Sequence, residues 1–146
     1  MLKLAVTRAG MMTEEEIETY YRSWAEIGRV YDQGDYFDIF KSSDLMITDC
    51  ASFLAEYLPS GNPLIRLINP KSCPLDRLGN RFSDCYYNVH GEEELMQTFH
   101  DLVINGNDYL GPHRKEIAGT LIDPCQTSAE RILKDLQKSL GIGQAA

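Results

Sequence analysis

Helix signals and strand signals take turns along this chain, and that alternation restricts its fold more than any other feature. The run Met12-Thr13-Glu14-Glu15-Glu16-Ile17 is a helix start: Thr13 caps, Glu16 closes a capping box and Met12 staples onto Ile17. Ile17, Tyr20, Tyr21, Trp24 and Ile27 then fall on one apolar face, predicted to be core, and Gly28 ends the helix. Arg29-Val30-Tyr31 reads as a short strand and Tyr36–Ser42 as a short helix. Leu45–Thr48 is a second strand, and Ala51–Leu58 a helix burying Phe53, Leu54 and Tyr57. Pro59-Ser60-Gly61-Asn62 breaks it before the best strand, Pro63–Ile68.

Residues 69–84 are rich in Pro, Asp, Arg and Gly and read as one long loop. Cys85–Val89 is the fourth strand, rich in tyrosine. Glu92–Ile104 reads as a helix with an apolar face of Leu95, Met96, Phe99, Leu102 and Val103, and Tyr109–Ala118 as a shorter one. A second capping box, Thr127 to Glu130, opens a last helix expected to bury Ile132, Leu133, Leu136 and Leu140. Strands separated by helices imply a parallel sheet covered on both faces, a three-layer Rossmann-like α/β fold. With 146 residues, no repeat and no linker, residues 1–146 are expected to form one domain.

Composition narrows the partners. The 14 basic and 22 acidic residues leave a net charge of −8, spread evenly and with no basic cluster, which argues against nucleic acid or anionic membrane as the main partner. No apolar stretch is long enough to span a bilayer and no secretory signal is visible, so a cytoplasmic location is expected. Cys50, Cys73, Cys85 and Cys125 contain no Cys-x-x-Cys pair and are expected as free, mostly buried thiols. His90, His100 and His113 have no ligand-like spacing, so neither a metal nor a cofactor is expected. Asp32, Asp35 and Asp38 fit turn and cap duties better than a metal site.

In such sheets ligands bind beyond the carboxyl ends of the strands. The stretch from Ser43 to Tyr57 offers that geometry: a strand ending at Thr48, a turn through Asp49 and Cys50, and a helix beginning near Ala51. The hydroxyls of Thr48 and Ser52 and the amides of the helix start suit a phosphate, and Glu56 suits a ribose diol. The plainer alternative is that Asp49 and Ser52 only cap the helix. Arg77 and Arg81, in the long loop, are candidates for contacting an anionic donor, and Arg66, inside a strand, is expected to pair with a neighbouring acid.

The run from Tyr36 to Leu67 resembles the C-terminal domain of the CDP-glycerol glycerophosphotransferase family, the teichoic-acid polymerases and their capsule-related relatives. Asp44, Ile47, Thr48, Asp49, Ser52 and Pro63 match the family pattern, while Cys50 and Ala51 replace its usual Tyr and first Ser. Leu78-Gly79, the aromatic strand, the acidic helix and the final Ser-Ala-Glu-Arg-Ile helix follow collinearly. The resemblance implies a GT-B transferase of phosphoglycerol or glycosyl groups, in which this domain binds a CDP-alcohol or nucleotide-sugar donor at Thr48, Asp49, Cys50, Ala51, Ser52 and Glu56. It implies further that the acceptor domain and a Lys-Pro-His-Pro histidine lie outside this chain. The chain is then expected to be a fragment or truncated relative, inactive alone and lacking its first strand. Self-association, or residues 2–6, would cover the resulting gap, and the full-length protein would meet the inner membrane face. The alternative is a non-catalytic signalling module of the receiver type, which Asp32 and Asp49 imitate only in part.

Overall fold

The computed structural model describes residues 6–31, 34–71, 74–121 and 127–141. Asp32, Cys73, Cys125 and most of the 2–6 segment lie outside them. The chain forms two compact units, Met1–Asp38 and Ile39–Ala146. No helix among the described residues is long and apolar enough to cross a membrane.

The first unit is built on α1, Glu14–Ile27. Its capping box forms as expected: Thr13 Oγ1 accepts the Glu16 amide at 3.2 Å, and the Glu16 carboxylate accepts the Thr13 amide at 2.7 Å. Those bonds from Thr13 hold the Glu16 carboxyl below the usual range. The helix stops at Gly28 in extended backbone, while the Gly28 amide still donates to the Trp24 carbonyl. The apolar face does not become core. Ile17 is buried, but Tyr20 and Trp24 are each 50% exposed and Ile27 77%. The strand expected at Arg29–Tyr31 does not form either; those residues are irregular, and Arg29 stacks 4.6 Å above the Tyr31 ring. Helical spacing fixes which residues share a face, not whether anything covers it. Asp35 takes the turn role expected of it, its carboxylate accepting the Phe37 amide at 2.9 Å.

The second unit begins within α2 (Phe37–Ser42) and holds a three-stranded parallel sheet in the order β1 (Met46–Thr48), β2 (Leu64–Leu67), β3 (Tyr87–Val89). Met46 pairs with Leu64 and Thr48 with Arg66, so the two best strand segments lie side by side and parallel, as expected. Successive strand residues face opposite ways. Ile65, Tyr87 and Val89 pack with Leu102 and with Leu95 and Phe99 of α5 (Glu92–Phe99). On the opposite face the buried Tyr86 hydroxyl donates to the Leu54 carbonyl of α3 (Ala51–Tyr57) at 3.0 Å. Helices therefore cover both faces, and the unit is an α/β layered fold of Rossmann-like pattern. Phe40 of α2 meets the rings of Phe53 and Tyr57 edge-on, and the Tyr57 hydroxyl lies 3.0 Å from Ser43 Oγ.

Three segments depart from expectation. The stretch expected as one loop contains α4 (Arg77–Arg81), because Asp76 caps it by accepting the Gly79 amide at 2.7 Å, and a 3₁₀ turn over Ser83–Cys85. After Phe99, the helix widens into a π-helical turn over His100–Ile104. Leu102 is buried while Val103 is 49% and Met96 60% exposed, because at helical spacing both of the latter lie at the margin of the Leu95–Phe99–Leu102 stripe. Finally, α6 (Gly111–Leu121) precedes α7 (Ser128–Ser139), whose Thr127–Glu130 capping box forms. The apolar face expected to be buried on α7 is not: Ile132, Leu133, Leu136 and Leu140 are 53–68% exposed.

A buried charge locks the unit together. Arg114 of α6 is fully buried, donates through Nε to the Gly61 carbonyl at 3.1 Å and through Nη1 to the Cys85 carbonyl, and pairs with Asp108. The Tyr87 hydroxyl donates to Asp108 at 2.8 Å and accepts the Leu110 amide. Burial first, and the Asp108 bond further, push the Tyr87 phenol up to about 12. The unfolded phenol ionises near its ordinary value of 10, before the folded one. Stability from this group is thus full below pH 10 and lost as pH rises towards 12. Urea midpoints measured across that interval fall for the native sequence and fall less steeply for Tyr87→Phe.

Candidate functional site at the strand ends

The turn that follows β1 is shaped by its own side chains. Thr48 Oγ1 accepts the Cys50 amide at 3.0 Å, which swings the backbone from the strand into α3. Cys50 occupies the N-cap position without capping through its side chain. Its sulfur lies 3.4 Å from Ser52 Oγ, and that contact draws the thiol below its usual range. Of the two cysteines among the described residues, both free, Cys50 is exposed and Cys85 is buried. The N-cap of a helix at a strand end is a rim position, so exposure follows from where the turn lies.

Beside this turn lies a cleft of about 360 Å³ lined by Asp49, Ala51, Arg66, Leu67, Asn69, Pro74 and Leu75. It sits beyond the carboxyl ends of β1 and β2, the position where open parallel sheets bind ligands. The Thr48–Arg66 register brings the arginine to the cleft, and its Nη1 lies 3.5 Å from Asn88 Oδ1. Arg66 thus leans on an amide, where the sequence suggested an acid. It is the sole cation among the described lining residues, which include one carboxylate, Asp49.

Of the residues singled out from sequence, Thr48, Asp49, Cys50, Ala51 and Ser52 come together at this one strand end, and Asp49 and Ala51 line the cleft directly. Ser52 is exposed with its hydroxyl against the Cys50 sulfur. Glu56 is half-buried one turn further along α3 and is not among the lining residues. Arg77 and Arg81 are exposed on α4 and do not line the cleft; the Arg81 guanidinium stands 5.8 Å over the Phe82 ring. Asn69 and Leu75 were not singled out, because only the chain's return from β2 brings them alongside Asp49. A larger groove of about 930 Å³ runs along β3 and α5, but its lining carries Glu93 and Glu94 and neither lysine nor arginine, so it suits no phosphate.

No family model, curated protein or solved structure matches the chain.

Proposed function

We propose that the chain is a nucleotide-diphosphate donor-binding domain, similar to the C-terminal GT-B half of the CDP-glycerol glycerophosphotransferases that build teichoic acid and capsule polymers. The observation that carries the reading is the cleft itself, in which Arg66 meets Asp49 and Ala51 of the post-β1 turn at the carboxyl ends of two parallel strands. A guanidinium forks onto two phosphate oxygens, which a lone hydroxyl cannot do. The cleft volume of about 360 Å³ suits part of a nucleotide donor rather than a macromolecule. In this reading Arg66 and the α3 amides hold the pyrophosphate, Ser52 adds a hydroxyl, and Asp49 and Glu56 accept from the ribose. Binding energy gathered here positions a CDP-alcohol or nucleotide-sugar for an acceptor presented by another domain. The compartment it suits is the cytoplasm, with the polymer-building site at the inner membrane face.

Calorimetry with CDP tests the assignment. Arg66→Ala is expected to weaken binding by roughly 1.5–3 kcal/mol, as for a hydrogen bond to a charged group, and Ser52→Ala and Glu56→Ala by roughly 1–3 kcal/mol each. All three positions are at least partly solvent-exposed, so circular dichroism of the variants should match the parent. Equal CDP affinity in all three folded variants would remove the site.

A further inference from the structure

We propose that Asp84, Cys85 and His113 bind a single zinc-type divalent cation, with a fourth position left to water. Their donor atoms all lie within 4.8 Å of one another, although the residues come from two separate elements. His113 Nε2 is 3.2 Å from Asp84 Oδ2, and Cys85 Sγ is 4.0 Å from Asp84 Oδ1. In a tetrahedral zinc centre with bonds of about 2.0–2.3 Å, neighbouring ligand atoms sit roughly 3.3–3.7 Å apart. Closing donor separations of up to 4.8 Å to that spacing takes shifts of about 1.5 Å or less, with one Asp84 oxygen turned to serve the ion.

The frame that holds them does not depend on a metal. Asp84 and Cys85 ride on the 3₁₀ turn before β3, where the Cys85 amide donates to the Phe82 carbonyl and Asn88 Nδ2 to the Ser83 carbonyl. His113 stands in the first turn of α6, and its neighbour Arg114 anchors that turn to the Cys85 carbonyl. The Arg114 charge is met by Asp108, which limits its repulsion of a cation nearby. On binding, the Cys85 thiol proton leaves to solvent; thiolate and carboxylate then balance a dication while the imidazole stays neutral. A sulfur, nitrogen and oxygen donor set suits zinc, whereas calcium and magnesium take oxygen ligands. The side chains of His113 and Asp84 are 42% and 69% exposed, so the open position faces water, as where three protein ligands hold zinc. The competing explanation is a metal-free strut between turn and helix, in which the Asp84 carboxylate accepts from the Cys85 thiol and bonds to the His113 ring.

Cobalt(II) titration of the reduced full chain, followed by zinc competition, separates the two. One equivalent of cobalt should give a thiolate-to-cobalt charge-transfer band with tetrahedral d–d bands, all removed by zinc. His113→Gln and Asp84→Asn should each weaken cobalt binding roughly tenfold or more, and Cys85→Ser should abolish the charge-transfer band. His113 and Asp84 reach solvent, so these two variants keep the test valid even if the buried Cys85→Ser fails to fold. A His90→Gln/His100→Gln chain should bind as the parent does. Absence of a one-equivalent band, or unchanged affinity in His113→Gln, or loss of binding only in the His90/His100 chain, would overturn the proposal.

Discussion

Replacing Arg114 with alanine should lower the unfolding free energy by roughly 3–5 kcal/mol, the cost of removing one member of a buried ion pair. The loss has three parts. Gly61 and Cys85 lose a donor at their carbonyls, where little water can enter to replace it. Asp108 keeps a carboxylate with, among the described residues, the Tyr87 hydroxyl as its remaining side-chain donor. The guanidinium's volume also becomes a void at a fully buried position. Because the Asp108 side chain is 27% exposed, water relieves part of the second cost, which puts the expected value towards the lower end of that range. Arg114→Lys should recover only a fraction, since an ammonium cannot reach a carbonyl, a second carbonyl and a carboxylate as a planar fork does. Urea unfolding measures both variants. A loss below about 1 kcal/mol for Arg114→Ala, within the range of an ordinary substitution, would mean that the arginine does not hold these three segments together.

The second large effect is expected at Ile65. This residue has no exposed surface and packs in β2 against Tyr87, Val89 and Leu102. Truncating it to alanine removes three carbons from a site enclosed by a strand on each side, where collapse is hindered. The expected destabilisation is roughly 2–5 kcal/mol. The same truncation at Ile132 on α7, 61% exposed, should change stability by no more than about 0.5 kcal/mol. The pair distinguishes the burial seen in the fold from the burial suggested by periodicity, which treats both isoleucines as core. Equal losses at the two positions would show that α7 is covered in solution.

What could be read in the sequence was local. Both capping boxes need only residues three apart, and both form as read, Thr13 with Glu16 and Thr127 with Glu130. The strands of Leu45–Thr48 and Pro63–Ile68 were legible because apolar, β-branched runs bounded by turn residues admit few other conformations. The turn from Thr48 to Ser52 was legible for the same reason. Features that depend on distant partners were hidden. Arg29–Tyr31 has strand-like residues but no ladder to join, and the apolar stripes of α1 and α7 carry no mark of being uncovered. Arg66 becomes a site residue only through its register with Thr48, and Arg114 becomes a core residue only because Gly61, Cys85 and Asp108 converge on it. Neither pairing has a spacing that a reader of one chain could single out.

The central claim is that a nucleoside diphosphate sits at the carboxyl ends of β1 and β2. Titrating the isotope-labelled chain with CDP while following its amide resonances tests this most directly. Saturable shifts confined to Asp49–Glu56 and to Arg66–Asn69 are predicted, with the Arg66 side-chain resonance moving among the furthest. No saturable shift, or shifts clustered instead at Asn88, His90 and Phe99 along the β3–α5 groove, would contradict it.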